Sequence, residues 1–357
     1  MAARFTKGRM QVLGTGASLP GAPVSTQELL ARIERGFGLN IRTGVALGRR
    51  LGIAHRHLSR DVKERFEPPR SGDRNPELAA RAVAMALNQA SLGIEQLQYL
   101  IGHTATPARP LPPNTAEVAD ILGHARPYGE LRQACTGFAN ALQWAEGLLR
   151  ASDAEPIAIV GSEVGSVFFD PLALQEDPGQ WVNLVQMGDG AGAIVLGPDR
   201  GASGAYLESA FFGHLGPGRV PGFSLEEGGS DFPALRPGRS SATFHHDFEA
   251  VRAGGAELFS AGLEAAQEAG VEISALSSIL PHQVNGRIGA WLAEAFRLPL
   301  ERFFVNADHV GNLGSAAIWV ALHELRLSGT LKPGDRVLVL GAEATQYLFG
   351  GFVYVHG

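Results

Sequence analysis

The sequence predicts a layered α/β fold assembled from two repeated halves. Apolar runs typical of strands alternate with segments of helical periodicity along most of the chain, as expected for sheets covered by helices. The pattern of the first half returns in the second at a constant offset of 180 residues, which links Glu77 to Glu257, Leu142 to Leu322 and Gly161 to Gly341. This self-similarity indicates a duplication, and we place the halves at residues 1–200 and 201–357.

The first half contains the elements of an α/β unit in order. Strands are predicted over 11–20, 97–104, 156–165 and 190–197, and helices over 76–90, 114–123 and 135–151. The helix at 114 is expected to have Asn114 as its N-cap and Gly123 as its stop. The helix after Cys135 carries an apolar stripe at helical spacing, which consists of Phe138, Leu142, Ala145 and Leu149.

The second half repeats this order. The helical segment 256–270 matches 76–90, and the strand at 276–283 matches 97–104. The segments 311–325 and 337–345 match the Cys135 helix and the strand that follows it. The turn that contains Asn312 is therefore the counterpart of the turn that contains Cys135.

Composition excludes several classes of function. Acidic residues outnumber basic ones by 36 to 30, so no basic excess points to nucleic acid. The single cysteine rules out an internal disulfide and a Cys-rich zinc site and fits a reducing cytoplasm. Adjacent histidines rarely face one ion, so His245 and His246 do not predict a metal site. We expect neither a signal peptide nor a membrane span, because no apolar leader and no apolar run of about 18 residues is present.

Three polar residues at strand ends form the candidate site. Cys135 lies where a strand leads into a helix, His282 follows a strand of the second half, and Asn312 lies in the matching turn. Ligand sites in α/β sheets form at the carboxyl ends of strands, so we expect the three side chains to share one pocket.

This set suits the formation of carbon–carbon bonds. The helix N-terminus is expected to lower the pKa of the Cys135 thiol, and the Cys135 N–H to bind an oxyanion. Gly137 is expected to let a substrate approach the backbone. A neutral His282 and the Asn312 amide can donate to one carbonyl oxygen and stabilise an enolate. Asp189, in a glycine-rich turn, is expected to be structural.

Five segments in order carry a resemblance to a known family. The sequence resembles the thiolase superfamily, and most of all its ketoacyl-ACP synthase III branch, in VLGTGASLP at 12–20, QACTGFANAL at 133–142, MGDGAGAIVLG at 187–197, PHQVNGRI at 281–288 and GNLGSAA at 311–317. The resemblance implies a thiolase-like, five-layered αβαβα sandwich and a homodimer with active sites near the interface. It implies Cys135 as the acylated nucleophile, and His282 and Asn312 as the decarboxylation pair.

The implied activity is that of an acyltransferase without a permanent cofactor. An acyl-CoA or acyl-ACP would load Cys135, and a malonyl thioester of CoA or ACP would then lose CO2 and condense to a 3-oxoacyl product. Acyl transfer to an oxygen or nitrogen acceptor, without a new C–C bond, is the alternative. A papain-like hydrolase also orders Cys, His and Asn, but its local signature is missing. A non-catalytic partner subunit is opposed by the intact set of three residues.

Departures from the family pattern predict a specialised pathway. The adenine-stacking tryptophan of the family is replaced by Ala46, although Arg50 remains. In GAEATQYLFGGF at 341–352, Glu343 replaces an aromatic residue and Thr345 would hold the second oxyanion amide. Leu111 stands where the family often has a phenylalanine that caps the acyl tunnel across the dimer. Pocket shape is expected to depend on the loops at 104–116, 210–240 and 343–349.

Two further residues have open roles. Arg287 either meets the phosphopantetheine phosphate or an acidic carrier protein, or is a solvated surface residue. Asn285 either holds the pantetheine arm or caps its helix.

Overall fold

The computed structural model describes residues 3–201, 203–225, 227–231, 242 and 244–357. The strands are Ala3–Phe5 (β1), Met10–Ser18 (β2), Val24–Ser25 (β3), His55–Arg56 (β4), Tyr99–His103 (β5), Tyr128–Leu131 (β6), Ile157–Glu163 (β7), Gly190–Pro198 (β8), Tyr206–His214 (β9), Phe223–Ser224 (β10), His245–His246 (β11), Ser278–Pro281 (β12), Arg336–Glu343 (β13) and Leu348–Val355 (β14).

The α-helices are Thr26–Phe37 (α1), Arg42–Leu51 (α2), Asn75–Ala90 (α3), Asn114–Leu122 (α4), Gly137–Leu149 (α5), Ala173–Glu176 (α6), Gln180–Gln186 (α7), Phe248–Glu268 (α8), Ile288–Phe296 (α9), Ala307–Val310 (α10) and Ala317–Leu327 (α11). Short 3-10 turns cover Ile94–Gln96, Gly165–Phe168, Ile273–Ala275, Leu300–Arg302 and Gly314–Ala316.

The main sheet has two parts with the same plan. Its strand order is β12–β13–β14–β9–β2–β8–β7–β5–β6, with β1 beside β9. In one part β5 and β7 are parallel while β8 and β2 follow antiparallel. In the other part β12 and β13 are parallel while β14 and β9 follow antiparallel. The register partners of β2 and β9 are Met10 with Leu207 and Gln11 with Tyr206, so the parts meet along a short edge.

Helices form the other layers. Between the two parts of the sheet, α5 contacts β5, β7 and β8 on one side and β9 and β14 on the other, and α11 contacts β2, β7, β8 and β12. On the outer faces, α3 covers β2, β7 and β8, and α8 covers β13 and β14. This arrangement confirms the five-layered αβαβα sandwich.

The central core explains the apolar pattern of the strands. In β7, Ile157 and Ile159 face the central layer with Phe138 and Leu142, while the alternate residues face α3. A strand that is buried on both faces is apolar throughout rather than alternating. Each fully buried large apolar side chain contributes about 1.5–3 kcal/mol, which fixes α5 and the turn before it.

One local prediction is wrong. Asn114 is the first residue of α4 and does not cap it, because its side chain makes tertiary contacts instead. The Asn114 Oδ1 accepts from the Ala108 N–H at 3.1 Å, and its Nδ2 donates to Asn75 Oδ1 at 2.7 Å. These bonds tie the proline-rich loop to α3. Gly123 ends α4 in the left-handed conformation, with φ of 70°, as predicted.

Candidate active site

Cys135 lies in the turn between β6 and α5. Its surface is partly accessible, whereas the next residue, Thr136, is fully buried. Among the described residues, no acceptor in another residue is bonded to the Cys135 N–H. This N–H is therefore available to a ligand oxygen at the N-terminal end of α5, as the sequence suggests.

A carboxylate from the other half of the chain holds this turn. Glu343, at the end of β13, accepts from the Thr136 N–H at 2.8 Å and from the Thr136 hydroxyl at 2.7 Å. The hydroxyl of Thr345 donates to the other oxygen of Glu343. The turn is thus fixed by a side chain 207 residues away in sequence.

The expectation of a lowered thiol pKa is wrong. Burial raises the pKa of Cys135 well above its ordinary value of 9.0, and the negative charges of Glu343 and then Glu163 act in the same direction. The N–H of Cys135 itself opposes these effects only in part. A helix N-terminus favours thiolate, but desolvation and two nearby carboxylates outweigh it.

The role expected for Gly137 is also wrong. A Cβ at this position would lie 2.5 Å from Nδ1 of His103, so the glycine is required for packing rather than for substrate approach. His103 is held in turn, because Trp319 Nε1 donates to its Nε2 at 3.0 Å. Burial lowers the pKa of His103 to about 3, so a neutral ring supports the Cys135 turn from below.

Asn312 presents its amide nitrogen to the site. The Gly314 N–H donates to Asn312 Oδ1 at 3.0 Å, which identifies the oxygen of the side chain because an N–H cannot bond to the NH2 group. The backbone of Asn312 is fixed to the segment after α7 by bonds with the Gln186 carbonyl and the Gly188 N–H. The Nδ2 hydrogens are left as donors with a defined direction.

His282 follows β12 and is neutral near pH 7. Its side chain is almost fully buried, and burial lowers the pKa of His282 to about 4. The next residue, Gln283, joins the His282 turn to the segment before Asn312. Its Oε1 accepts from the N–H groups of Asn306 and Ala307 at 2.9 and 3.3 Å.

Shared contacts bring the three turns together. Glu163, at the end of β7, accepts from the Ser315 N–H at 3.0 Å and from its hydroxyl at 2.7 Å. Glu163 also acts on the charge of Cys135. His282 joins the same edge of the sheet, because its N–H donates to the Leu340 carbonyl of β13, three residues before Glu343.

Sequence reasoning missed Glu163 and Gln283 and noted Glu343 only as a replacement. A signal was available, because Glu163 and Glu343 occupy the same position of the 180-residue repeat. Asp189 is structural in its contacts, as expected: it is fully buried and accepts from the N–H groups of Ser59 and Ser166.

The remaining candidate residues lie around the site. Arg50, in the last turn of α2, and Arg287 are both exposed, and the Gly286 N–H joins their segments by donating to the Leu51 carbonyl. Asn285 Oδ1 accepts from the Arg287 N–H at 2.8 Å, which is the helix-capping alternative. Ala46 is exposed on α2.

Leu111 is not brought into the site by this chain. Its exposed fraction is 81%, and it lies in the proline-rich loop before α4. Thr345 lies close to Glu343, and among the described residues its N–H has no bonded acceptor. Part of the expected pocket loop at 210–240, namely residues 226 and 232–240, lies outside the described residues.

Two searches of the described residues complete the picture. No helix in that part of the chain is long and apolar enough to cross a membrane. No group of three or more His, Cys, Asp or Glu side chains there is placed to hold a metal ion.

Comparisons with known proteins agree with this geometry. Residues 130–214 match the family described as 3-oxoacyl-[acyl-carrier-protein (ACP)] synthase III, and residues 266–352 match its C-terminal counterpart. Beta-ketoacyl-[acyl-carrier-protein] synthase III of Clostridium perfringens is 31% identical over 304 residues, which cover 82% of this chain and 85% of that protein.

Solved structures show the same fold. The tetronic acid condensing enzyme AbyA1 superposes with a TM-score of 0.83 at 30% identity, over 97% of this chain and 99% of the other. 3-Oxoacyl-(acyl carrier protein) synthase III of Pseudomonas aeruginosa gives a TM-score of 0.77 at 27% identity, over 98% of both chains. The chain therefore has the thiolase fold and belongs to the β-ketoacyl-[acyl-carrier-protein] synthase III family.

Proposed function

We propose that this chain is a decarboxylative condensing enzyme in which Cys135 carries the acyl group. The observation that carries the proposal is the orientation of Asn312, whose oxygen is engaged by the Gly314 N–H and whose Nδ2 is left as a donor. Together with a neutral, buried His282, it supplies two donors for an enolate oxygen.

The first half-reaction is transfer of an acyl group to the thiol. The Cys135 sulfur attacks the carbonyl carbon of an acyl thioester, a new C–S bond forms, and the C–S bond to the donor breaks. The thiol proton leaves with the donor as CoA or pantetheine thiol. The N–H groups of Cys135 and Thr345 are the proposed oxyanion donors.

The second half-reaction uses His282 and Asn312. The bond between the malonyl carboxylate and the α-carbon breaks, CO2 leaves, and its electron pair forms an enolate whose oxygen both side chains stabilise. The enolate carbon attacks the acyl-cysteine, so that a C–C bond forms while the C–S bond breaks. Cys135 regains a proton, and a 3-oxoacyl thioester is released.

The carriers of the two substrates are CoA or ACP thioesters in this proposal. Arg50 and Arg287 lie on neighbouring exposed segments and suit a phosphate or an acidic carrier surface. Ala46 offers no ring for an adenine base, which weakens recognition of CoA relative to a carrier protein. Asn285 has its oxygen engaged with the backbone, so only its NH2 group would reach a pantetheine amide.

A specialised pathway fits the site better than the first step of fatty-acid synthesis. Glu343 and the side chains of Ala344, Thr345 and Gln346 occupy a segment that is glycine-rich in the family. AbyA1, a relative of 30% identity, is a tetronic acid condensing enzyme. We infer a polar acyl or acceptor group rather than a simple acetyl unit.

A homodimer is the assembly that the exposed surface supports. Among the described strands, β6 forms one end of the main sheet, and exposed Tyr128 and Trp144 lie beside that edge. Leu111 lies on the same side of the chain and is 81% exposed. Pairing of two β6 edges would cover these apolar side chains and allow Leu111 to reach the partner's acyl tunnel.

The division at residue 200 stays a prediction. It is supported by the matching plans of the two parts of the sheet, and the first strand of the second part, β9, begins at Tyr206. The cytoplasmic location also stays a prediction.

Intact-protein mass spectrometry with acyl-CoA and acyl-ACP panels tests the first half-reaction. Because Cys135 is the one cysteine in 357 residues, Cys135→Ala removes every thiol and is the control. A mass gain in the wild type alone supports the proposal, and a gain in both proteins refutes it. Release of CO2 from malonyl thioesters then tests the second step: acyl loading without CO2 release would favour transfer to an oxygen or nitrogen acceptor.

A further inference from the structure

Two buried carboxylates make the same contact in opposite directions. Glu343 ends β13 in the second half and binds the N–H and hydroxyl of Thr136 in the first half. Glu163 ends β7 in the first half and binds the N–H and hydroxyl of Ser315 in the second half. Their exposed fractions are only 3% and 2%.

Each contact fixes a turn that carries a reactive side chain. Thr136 directly follows Cys135, so Glu343 holds the nucleophile and its oxyanion N–H. Ser315 follows Gly314, whose N–H orients the amide of Asn312. Gly314 itself packs against Glu163, since a Cβ there would lie 2.6 Å from a Glu163 oxygen.

Neither carboxylate has a basic partner among the bonds just described. The partners of Glu163 are the hydroxyl of Thr106 and the two groups of Ser315, and those of Glu343 are hydroxyls and one N–H. Burying a carboxylate without a cation costs free energy unless its hydrogen bonds are satisfied. Two such arrangements at equivalent positions of the repeat point to a shared role in positioning.

We propose that Glu163 and Glu343 are crossed positioning residues, each fixing the turn that serves one half-reaction. Glu343 would control acyl loading through Cys135, and Glu163 would control decarboxylation through Asn312. This inference rests on the proposed function for the assignment of half-reactions, while the crossed contacts can be tested without any substrate.

The test compares full-length Glu343→Ala and Glu163→Ala with a matched control. Glu146 is also a buried carboxylate, and it accepts the backbone N–H groups of Lys7 and Gly8 near the other end of α5. Glu146→Ala therefore reproduces the loss of a buried carboxylate away from the site. Glu343→Gln and Glu163→Gln retain an oxygen acceptor of the same shape and serve as rescue variants.

Single-turnover kinetics separate the half-reactions. Acyl loading is followed by intact mass, and CO2 release is then measured from enzyme that has been loaded to completion and freed of donor. We expect Glu343→Ala to slow loading at least tenfold with CO2 release within threefold of wild type, and Glu163→Ala to show the reverse. Equal slowing of both steps by both variants, or no slowing by either, would overturn the proposal.

Amide hydrogen exchange keeps the test independent of the reaction. We expect Glu343→Ala to lose protection in peptides over 133–138 and Glu163→Ala in peptides over 311–316, with Glu146→Ala changing neither. If the wild type loads no acyl group and releases no CO2, the proposed function fails while this crossed pattern still supports the positioning role. Loss of protection in both segments in both variants overturns it.

Alkylation of Cys135 by iodoacetamide gives a readout that a purely structural role would not change. Glu343→Gln keeps the shape of the side chain and removes its charge, so its alkylation profile is expected to shift to lower pH. The Glu163→Gln profile is expected to shift less, because Glu343 has the larger effect on the pKa of Cys135. An unchanged profile in Glu343→Gln would count against the placement of Glu343 beside the sulfur.

Discussion

Replacing Asn312 by aspartate tests the proposed enolate site with little change to the backbone. Asn312 is 92% buried, as its exposed fraction is 8%, and its Oδ1 accepts from the Gly314 N–H at 3.0 Å. Aspartate offers an oxygen in the same place, so the turn keeps this bond. The change removes the Nδ2 donor and puts a second acceptor where the enolate oxygen would lie.

The expected loss follows from the number of donors. Removal of one preorganised oxyanion donor lowers a rate by about 10²–10³, or roughly 3–4 kcal/mol. His282 remains as the second donor, so a residual rate is expected. Repulsion between an aspartate and the enolate adds to the loss, and we therefore expect CO2 release to fall at least about 100-fold.

The assay measures acyl loading and CO2 release separately at pH 8, where the introduced carboxyl group is ionised. Asn312→Asp should load Cys135 at close to the wild-type rate and release CO2 slowly. Asn312→Ala, which also loses the bond to Gly314, serves as the comparison and should melt at a lower temperature. CO2 release within threefold of wild type in Asn312→Asp would refute the role of Asn312 as a donor.

Two other predictions concern stability. Gly137→Ala would place a Cβ 2.5 Å from the His103 ring, and overpacking of this kind costs about 1–3 kcal/mol; thermal denaturation and Cys135 loading should both show a loss. The hydrogen bond from Glu324 and then Asp308 raise the pKa of His309 to about 9, against its partial burial. The folded state therefore binds a proton more tightly than the unfolded state, so this stabilisation is complete below about pH 6.5 and is lost as pH rises through about 9. His309 is half exposed, so His309→Gln should cost no more than about 1 kcal/mol at pH 6 and nothing at pH 10, as measured by urea denaturation.

Outcomes that would contradict these two predictions are specific. Gly147 has no neighbour within 4 Å of a Cβ built on it, so Gly147→Ala on the same helix is the matched control for Gly137→Ala. Equal melting temperatures of the two variants would show that the contact with His103 is not limiting. A difference between wild type and His309→Gln that does not change between pH 6 and 10 would show that the charge of His309 is not responsible.

The layered fold was predictable because its signals are local. The stripe of Phe138, Leu142, Ala145 and Leu149 has helical spacing, and all four side chains are buried in the central layer. The apolar run of β7 was predictable for the same reason, since both of its faces are covered. The cap of α4 was not, because Asn114 bonds to Asn75 and Ala108 through tertiary contacts.

The candidate residues were predictable from motif and position, but their electrostatics were not. The rule that a helix N-terminus lowers the pKa of a thiol concerns one element and its own dipole. The pKa of Cys135 depends instead on its burial and on two carboxylates that reach it only in the folded chain. Likewise, the neutral state of His282 follows from burial, which the sequence indicates only through its apolar surroundings.

The sequence by itself therefore determined which segments are strands and helices, that the pattern repeats, and that Cys135, His282 and Asn312 lie at element boundaries. Periodicity and turn residues encode these features within a few residues of chain. Only the tertiary structure decided which groups surround the thiol and how the Asn312 amide points. Those features depend on Glu163 and Glu343, because a carboxylate can fix a distant turn only after the two halves have packed against each other.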